Sequence, residues 1–225
     1  MTTSTPTPTP GLGGRTVAVL GGTGEQGRGL ARRFALAGVP VVLGSRSAER
    51  AAAAAAELPG QVSGLDNEGA ARAGDIVVVA VPWEGHRELL EALVEALAGK
   101  IVVNCVNPLG FDKQGAYALA VPEGSAAQQA AAVLPGSHIV AAFHHVSAVL
   151  LLDPEVETID LDVLVLGDDR EATDLVQALV ALVPGMRGVY GGRLRNAHQV
   201  EALTANLIAV NRRYKAHAGL RVTDI

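Results

Sequence analysis

Cysteine is nearly absent from this 225-residue chain: Cys105 stands alone, so no disulfide can close within it and no Cys/His set has metal-ligand spacing. A lone thiol fits a reducing, cytoplasmic setting. Long hydrophobic runs are missing too. The apolar stretches around residues 76–82 and 146–152 fall far short of the roughly 20 residues that cross a bilayer. Basic charge is not in excess, and the formal net charge of −5 leaves no electrostatic footprint for nucleic acid or an anionic membrane. The opening MTTSTPTPTPG has neither the basic start nor the apolar core of a signal peptide. Its alternating Thr and Pro withhold backbone donors, so residues 1–14 are expected to form a disordered tail. A Gly-x-Ser-x-Gly elbow is also lacking, and Cys105 falls inside an apolar strand pattern, where it reads as an inert core thiol. With no nucleophile and no lysine placed as acid or base, the chemistry has to ask little of side chains, as hydride transfer between two bound rings does.

What the chain does have is 49% hydrophobic against 18% charged residues, the balance of a globular protein. From Thr16 onward, β-branched runs alternate with Ala-, Leu- and Glu-rich stretches, which predicts an α/β fold of the doubly wound Rossmann type with a mostly parallel sheet. Strands are expected at 16–20, 40–44, 61–64, 75–81, 100–106 and 138–143, and helices at 25–37, 47–58, 67–73, 84–98 and 125–134. The stretch 107–124, rich in Gly and Pro and without a clean period, reads as a long functional loop. After His145 the pattern predicts a strand in LDVLVLGDD, a helix at 171–183, a strand near 186–190 and a final helix at 194–217. These read as a smaller C-terminal α/β domain, 146–225, closing over a nucleotide-binding domain, 15–145.

The stretch GGTGEQG holds Gly22-x-Gly24-x-x-Gly27 directly after the strand TVAVL and at the opening of a helix. In a dinucleotide-binding turn the first glycine permits the bend, the second lets backbone amides approach the pyrophosphate, and the third lets helix and strand pack closely. Thr23 adds a hydroxyl, and the helix N-terminus adds partial positive charge. Without a ligand the same turn is only a bend. At the end of the next strand, where an NAD site carries an acidic residue, stand Ser45 and Arg46, with Arg50 four residues on. A hydroxyl and two guanidiniums suit the 2′-phosphate of NADP. The competing reading, an exposed cationic helix start, sets charge at the unfavourable end of the dipole. Val81, Pro82, Trp83, Val106 and Asn107 reach the carboxyl edge of the sheet, where open α/β folds bind ligands, and His144 and His145 follow the sixth strand at the same edge. Trp83 either packs the following helix or walls the site. His86, His138, His198 and His217 show no partner in the pattern.

In GGTGEQGRGLA (21–31), GSRSAERA (44–51), DIVVVAVPWE (75–84), KIVVN (100–104), AAFHHVSA (141–148), GDD (167–169) and VEALTANLIAVN (200–211) the chain resembles the NADPH:F420 oxidoreductase family, over nearly everything after residue 14. The resemblance implies an oxidoreductase that moves hydride reversibly between NADP and the deazaflavin coenzyme F420, with no catalytic acid or base. It implies that Thr23, Gly24, Glu25 and Gln26 line the pyrophosphate and that Ser45, Arg46 and Arg50 hold the 2′-phosphate. It further implies Val81, Asn107, His144 and Ala148 around the nicotinamide and deazaflavin, a C-terminal domain that helps form the deazaflavin pocket, and a homodimer. The chain departs from the family in His145 beside His144 and in the polar NCVNPLG. Two other readings stand beside it. One is an NADP-dependent reductase of a small imine or ketone, similar to pyrroline-5-carboxylate reductase, which would want a proton donor at the nicotinamide and a longer helical C-terminal region. The other is a non-catalytic NADP-sensing module, for which the Thr/Pro tail is the candidate partner surface.

Overall fold

In the computed structural model, which describes residues 12–225, the run Val17–Leu20 is strand β1 with all four side chains buried. A strand apolar on both faces needs helices over both, and the chain supplies them by alternation. After β1 come α1 (Glu25–Leu36), β2 (Val41–Ser45), α2 (Ala48–Ala56), β3 (Val62–Asp66), α3 (Asn67–Ala73), β4 (Ile76–Val79), α4 (His86–Glu91), α5 (Val94–Leu97) and β5 (Ile101–Asn104). A hairpin, β6 (Leu109–Asp112) and β7 (Gly115–Ala118), precedes α6 (Ala126–Val133), β8 (His138–Ala141), α7 (Ala148–Leu152), β9 (Leu161–Gly167), α8 (Arg170–Ala181), β10 (Met186–Gly192) and α9 (Ala197–Tyr214). Eight strands form one sheet in the order β10-β9-β8-β5-β4-β1-β2-β3, parallel except where β9 meets β8. The order reverses between β1 and β4, which opens a crevice at their carboxyl ends. Two apolar clusters cover the sheet, one containing Phe34, Leu43 and Val163, the other Leu20, Leu90 and Leu97.

Local chemistry sets the helix ends. The Ser47 hydroxyl accepts the Arg50 amide at 3.3 Å to start α2, and the Asp66 carboxylate accepts the Gly69 amide at 2.7 Å to start α3. Lys100 closes α3 by donating to the carbonyls of Ala71, Arg72 and Gly74 at 2.8, 2.8 and 2.5 Å. The helix expected over 84–98 is divided: a short 3₁₀ turn, Trp83–Gly85, leads into α4, and the backbone leaves helical geometry at Leu93 before α5. The stretch 107–124 holds the β6–β7 hairpin. Its turn is fixed by Asp112, whose Oδ1 accepts the amides of Gln114 and Gly115 at 2.7 and 3.1 Å. Of the tail expected over 1–14, residues 1–11 lie outside the described residues. Leu12 to Gly14 form a turn instead, because the apolar Leu12 is buried in the core and its carbonyl takes the Arg15 guanidinium at 3.0 Å. Among the described residues no helix is long and apolar enough to cross a membrane.

The residues after His145, expected to form a smaller second domain, add β9 and β10 to the edge of the same sheet through the pairs Val140–Gly167 and Ala141–Leu166. Three buried charges hold this C-terminal region. Arg33 of α1 donates to the carbonyls of Leu150, Leu151, Asp153 and Val156 at 2.5, 2.9, 3.2 and 2.7 Å, seating α7 against α1. Asp162 takes Arg187 in a two-pronged contact at 2.7 Å on each oxygen, with Arg221 at 2.8 Å and the Val222 amide at 2.7 Å. Glu201 of α9, 2% exposed, accepts the first two amides of α6, Ala126 at 2.8 Å and Ala127 at 3.0 Å. Burial outweighs these donors and raises its pKa to about 7.

Two outcomes follow. Arg33→Met keeps the apolar stem and strands several buried carbonyls, so it should lower stability by about 3 kcal/mol in urea denaturation, and Arg33→Lys should recover little of that. Glu201 has a folded pKa near 7 against an ordinary 4.5, so it holds a proton more tightly in the folded state. The stability linked to that proton is complete below about pH 4.5 and is lost as pH rises through about 7. Glu201→Gln should remove that part of the pH dependence, roughly 3 kcal/mol across the window, in denaturation series run at stepped pH.

Candidate functional site

The glycine turn lies at the β1/β4 crevice, and its bend falls one residue earlier than the spacing implied. Gly21 adopts φ +76°, and a Cβ there would lie 2.4 Å from the Ala80 carbonyl oxygen. Gly22 donates its amide to the Gly44 carbonyl at 3.1 Å, which ties the turn to β2. Gly27 does the packing expected of it, since a Cβ there would approach the Gly21 carbonyl oxygen to 2.6 Å. Gly24 is the N-cap of α1 and brings no side-chain acceptor, so the first amides of the helix are left for a ligand.

In front of this turn is a cavity of about 470 Å³, bounded by six of the expected residues: Thr23, Gly24, Ser45, Arg46, Arg50 and Val81. Among the described residues neither Arg46 nor Arg50 has a carboxylate within salt-bridge range, although both sit beside the start of α2. Asn67, Glu84 and Gly85 also line the cavity and were not singled out from the sequence. Gly22 and Gly27 stand behind it as packing residues. Glu25 and Gln26, in the first turn of α1, do not line the cavity, and the Gln26 amide donates to the Phe143 carbonyl at 3.4 Å.

Asn107 and His144 belong to a second cluster at the same sheet edge, outside the cavity lining. Val79, Asn104 and Ala141 are in register on β4, β5 and β8, and Val81, Asn107 and His144 lie two or three residues past that line. Asn107 Nδ2 donates to the His144 carbonyl at 2.8 Å, and the Thr204 hydroxyl of α9 donates to the same oxygen at 3.1 Å. Among the described residues Asn107 Oδ1 and both ring nitrogens of His144 and of His145 are buried without a hydrogen bond of ordinary geometry, the Val106 backbone giving His144 only a weak contact. Burial, reinforced by the neighbouring His145, pushes the His144 pKa down to about 3, and burial lowers that of His145 as well. Both rings are therefore neutral near pH 7. Ala148 is the first residue of α7, just beyond this pair. Phe143, directly before them, holds φ +63°, a strained conformation for a bulky residue, while its ring packs edge-on against Phe34 at 5.9 Å.

His86, which showed no partner in the sequence pattern, is fully buried and well bonded. Its Nδ1 is 3.0 Å from Gln129 Oε1, and its Nε2 receives Asn104 Nδ2 at 2.6 Å. Asn104 Oδ1 in turn accepts the Val106 amide at 3.0 Å, so the histidine braces the backbone leading to Asn107. Trp83 stacks on His86 with ring centroids 5.7 Å apart, the packing option of the two readings. Cys105 is buried, donates to the Val79 carbonyl at 3.0 Å and has its thiol pKa pushed up to about 12 by burial, so it is inert. No His/Cys/Asp/Glu group among the described residues has the arrangement of a metal site.

Residues 16–108 match the family model described as NADP oxidoreductase, coenzyme F420-dependent. The F420-dependent NADP reductase of Methanothermobacter thermautotrophicus is 37% identical over 221 residues, covering 93% of this chain and 95% of its own. That of Methanocaldococcus jannaschii is 36% identical over 221 residues, covering 93% and 98%. The crystal structure of an Arthrobacter sp. FB24 protein, proposed to be an F420-dependent NADP reductase, superposes with a TM-score of 0.82 at 26% identity, over 94% of this chain and all of that one. The glycine turn, the Ser-Arg strand end and the C-terminal α9 thus lie inside a likeness that runs along nearly the whole chain, which belongs to the F420-dependent NADP oxidoreductase family.

Proposed function

We propose that this protein transfers hydride reversibly between NADP(H) and the deazaflavin coenzyme F420, as a homodimer in the cytoplasm. The observation that carries the reading is the cavity at the β1/β4 crevice, where Ser45, Arg46 and Arg50 converge in front of an uncapped helix N-terminus. NADP fits these residues. The uncapped first turn of α1 offers backbone amides and Thr23 a hydroxyl to a pyrophosphate, and among the described residues the two guanidiniums have no protein counter-ion, a place a 2′-phosphate would fill.

The coenzymes supply the hydride donor and acceptor, and the protein's part is to hold, orient and shield. In this reading Val81, Asn107, His144 and Ala148 surround the two rings, with the C-terminal region completing the deazaflavin pocket. The unpartnered Asn107 Oδ1 and the His144 nitrogens support it, because buried polar atoms without partners are costly unless a ligand satisfies them. A neutral His144 sets no positive charge where hydride loss leaves one, and it has no proton to give near neutral pH. The proton donor that an imine or ketone reductase would want is therefore not found in His144. Neither that reading nor a sensing role is favoured by relatives matched end to end whose named activity is F420-dependent NADP reduction.

Mixing the purified protein with NADPH and oxidised F420 should bleach the deazaflavin absorbance. No bleaching at any pH tried, or turnover of a pyrroline substrate in its place, would sink the assignment. Arg46→Ala combined with Arg50→Ala should weaken NADP by about a hundredfold and leave NAD nearly unchanged, since only the 2′-phosphate contacts are lost. Equal weakening of both coenzymes would make the two arginines structural.

A further inference from the structure

β2 and β3 run parallel with Ser45 beside Asp66, so Arg46 and Asn67 leave the sheet side by side at its carboxyl edge. Asp66, the acid at that edge, is occupied by the helix it caps: its Oδ1 accepts the Gly69 amide at 2.7 Å. Asn67 folds over the end of β2 instead. Its Oδ1 lies 3.1 Å from where a Cβ on Gly44 would sit, buried and without a partner. That end of the amide is covered, whereas Nδ2 is neither a buried orphan nor bonded to protein. The residue lines the same cavity as Ser45, Arg46 and Arg50, and among the described residues no protein acceptor competes for its donor.

We propose that Asn67 is a specificity-determining residue for the adenosine half of the coenzyme. It donates to the ribose and, being uncharged, admits a 2′-phosphate that an acid in its place would repel. The inference rests on the reading of this cavity as an NADP site and deepens it. Ser45, Arg46 and Arg50 provide the attraction, and Asn67 adds no second acid beside the Asp66 that is already engaged in its helix cap, the second way in which a site discriminates. Gly44 is part of the arrangement, because a side chain there would meet Asn67 Oδ1 at 3.1 Å and Leu20 Cδ2 at 2.7 Å.

Calorimetric titration with 2′,5′-ADP and with 5′-AMP tests this without F420 or turnover. The unaltered protein should prefer 2′,5′-ADP. Asn67→Ala should weaken both nucleotides by about fivefold, one neutral hydrogen bond, and leave their ratio within about twofold of the original. Asn67→Asp should weaken 2′,5′-ADP by a further tenfold or so while 5′-AMP stays at the alanine level, collapsing the preference. An aspartate in the first turn of a helix is favourable, so that variant is expected to fold, and a thermal melt checks it. Undiminished binding by the alanine variant, or a preserved preference in the aspartate variant, overturns the role of Asn67 alone. A lack of preference in the unaltered protein overturns the NADP reading together with it.

Discussion

The Gly21 carbonyl is the point against which α1 is seated, because a Cβ on Gly27 would lie 2.6 Å from it and the helix approaches the strand only where that atom is missing. The same carbonyl accepts the Gly24 amide at 3.0 Å, and Gly22 reaches across to the Gly44 carbonyl at 3.1 Å. One close approach therefore fixes three things together: the helix N-terminus, the end of β1 and the end of β2. Ser45 and Arg46 are delivered to the cavity by that last link. The cationic residues and the free helix amides share one space as a consequence of backbone packing, before any charge is considered.

Holding the C-terminal region falls to buried charges. Arg33, Asp162 and Glu201 each gather groups far away in sequence, and each is satisfied by backbone or by an opposite charge. Burying an ion costs several kcal/mol unless its partners are well placed, so these contacts specify position as much as they stabilise. Asp162 is held below the usual carboxylate range chiefly by its hydrogen bonds to Arg187. Through Glu201, α9 is locked to the start of α6, and that lock brings Thr204 onto the His144 carbonyl at 3.1 Å. The far end of the chain thus reaches the His144 side of the crevice through a carboxylate on one helix and a hydroxyl one turn away.

Local pattern carried most of the fold, and it failed where structure depends on distant partners. The continuous Val/Ile runs of β4 and β5 and the helices α2 and α3 are legible because each signal is contained in a few consecutive residues. The β6–β7 hairpin escaped because its turn is set by Asp112 side-chain acceptors, without the Asn-Gly type of signal. The continuation of the sheet into β9 and β10 also escaped, since an antiparallel join at β8 leaves no mark in either strand. At the site, Ser45, Arg46 and Arg50 stand out because they break the expected acidic pattern at a strand end. Asn67 does not, because nothing local shows an amide folding over a glycine on the neighbouring strand. His86 is silent for the same reason: its partners lie 18 and 43 residues away.

The two ends of the crevice follow different physical rules. At the glycine-turn end the features are conventional apart from the buried, unpartnered Asn67 Oδ1, with a glycine at each close approach, a serine cap and exposed cations. Within a few residues of His144 the rules are broken together: Phe143 is strained at φ +63°, Asn107 keeps a buried oxygen unpaired, and two adjacent imidazoles are buried without partners. Such defects persist only where the surroundings over-determine them. Here the surroundings are identifiable, for the His86–Asn104 pair braces Val106 from below while Thr204 and Asn107 share the His144 carbonyl. The hydrogen bonding committed to holding these neutral groups in place is what supports the ring site proposed at this end of the crevice.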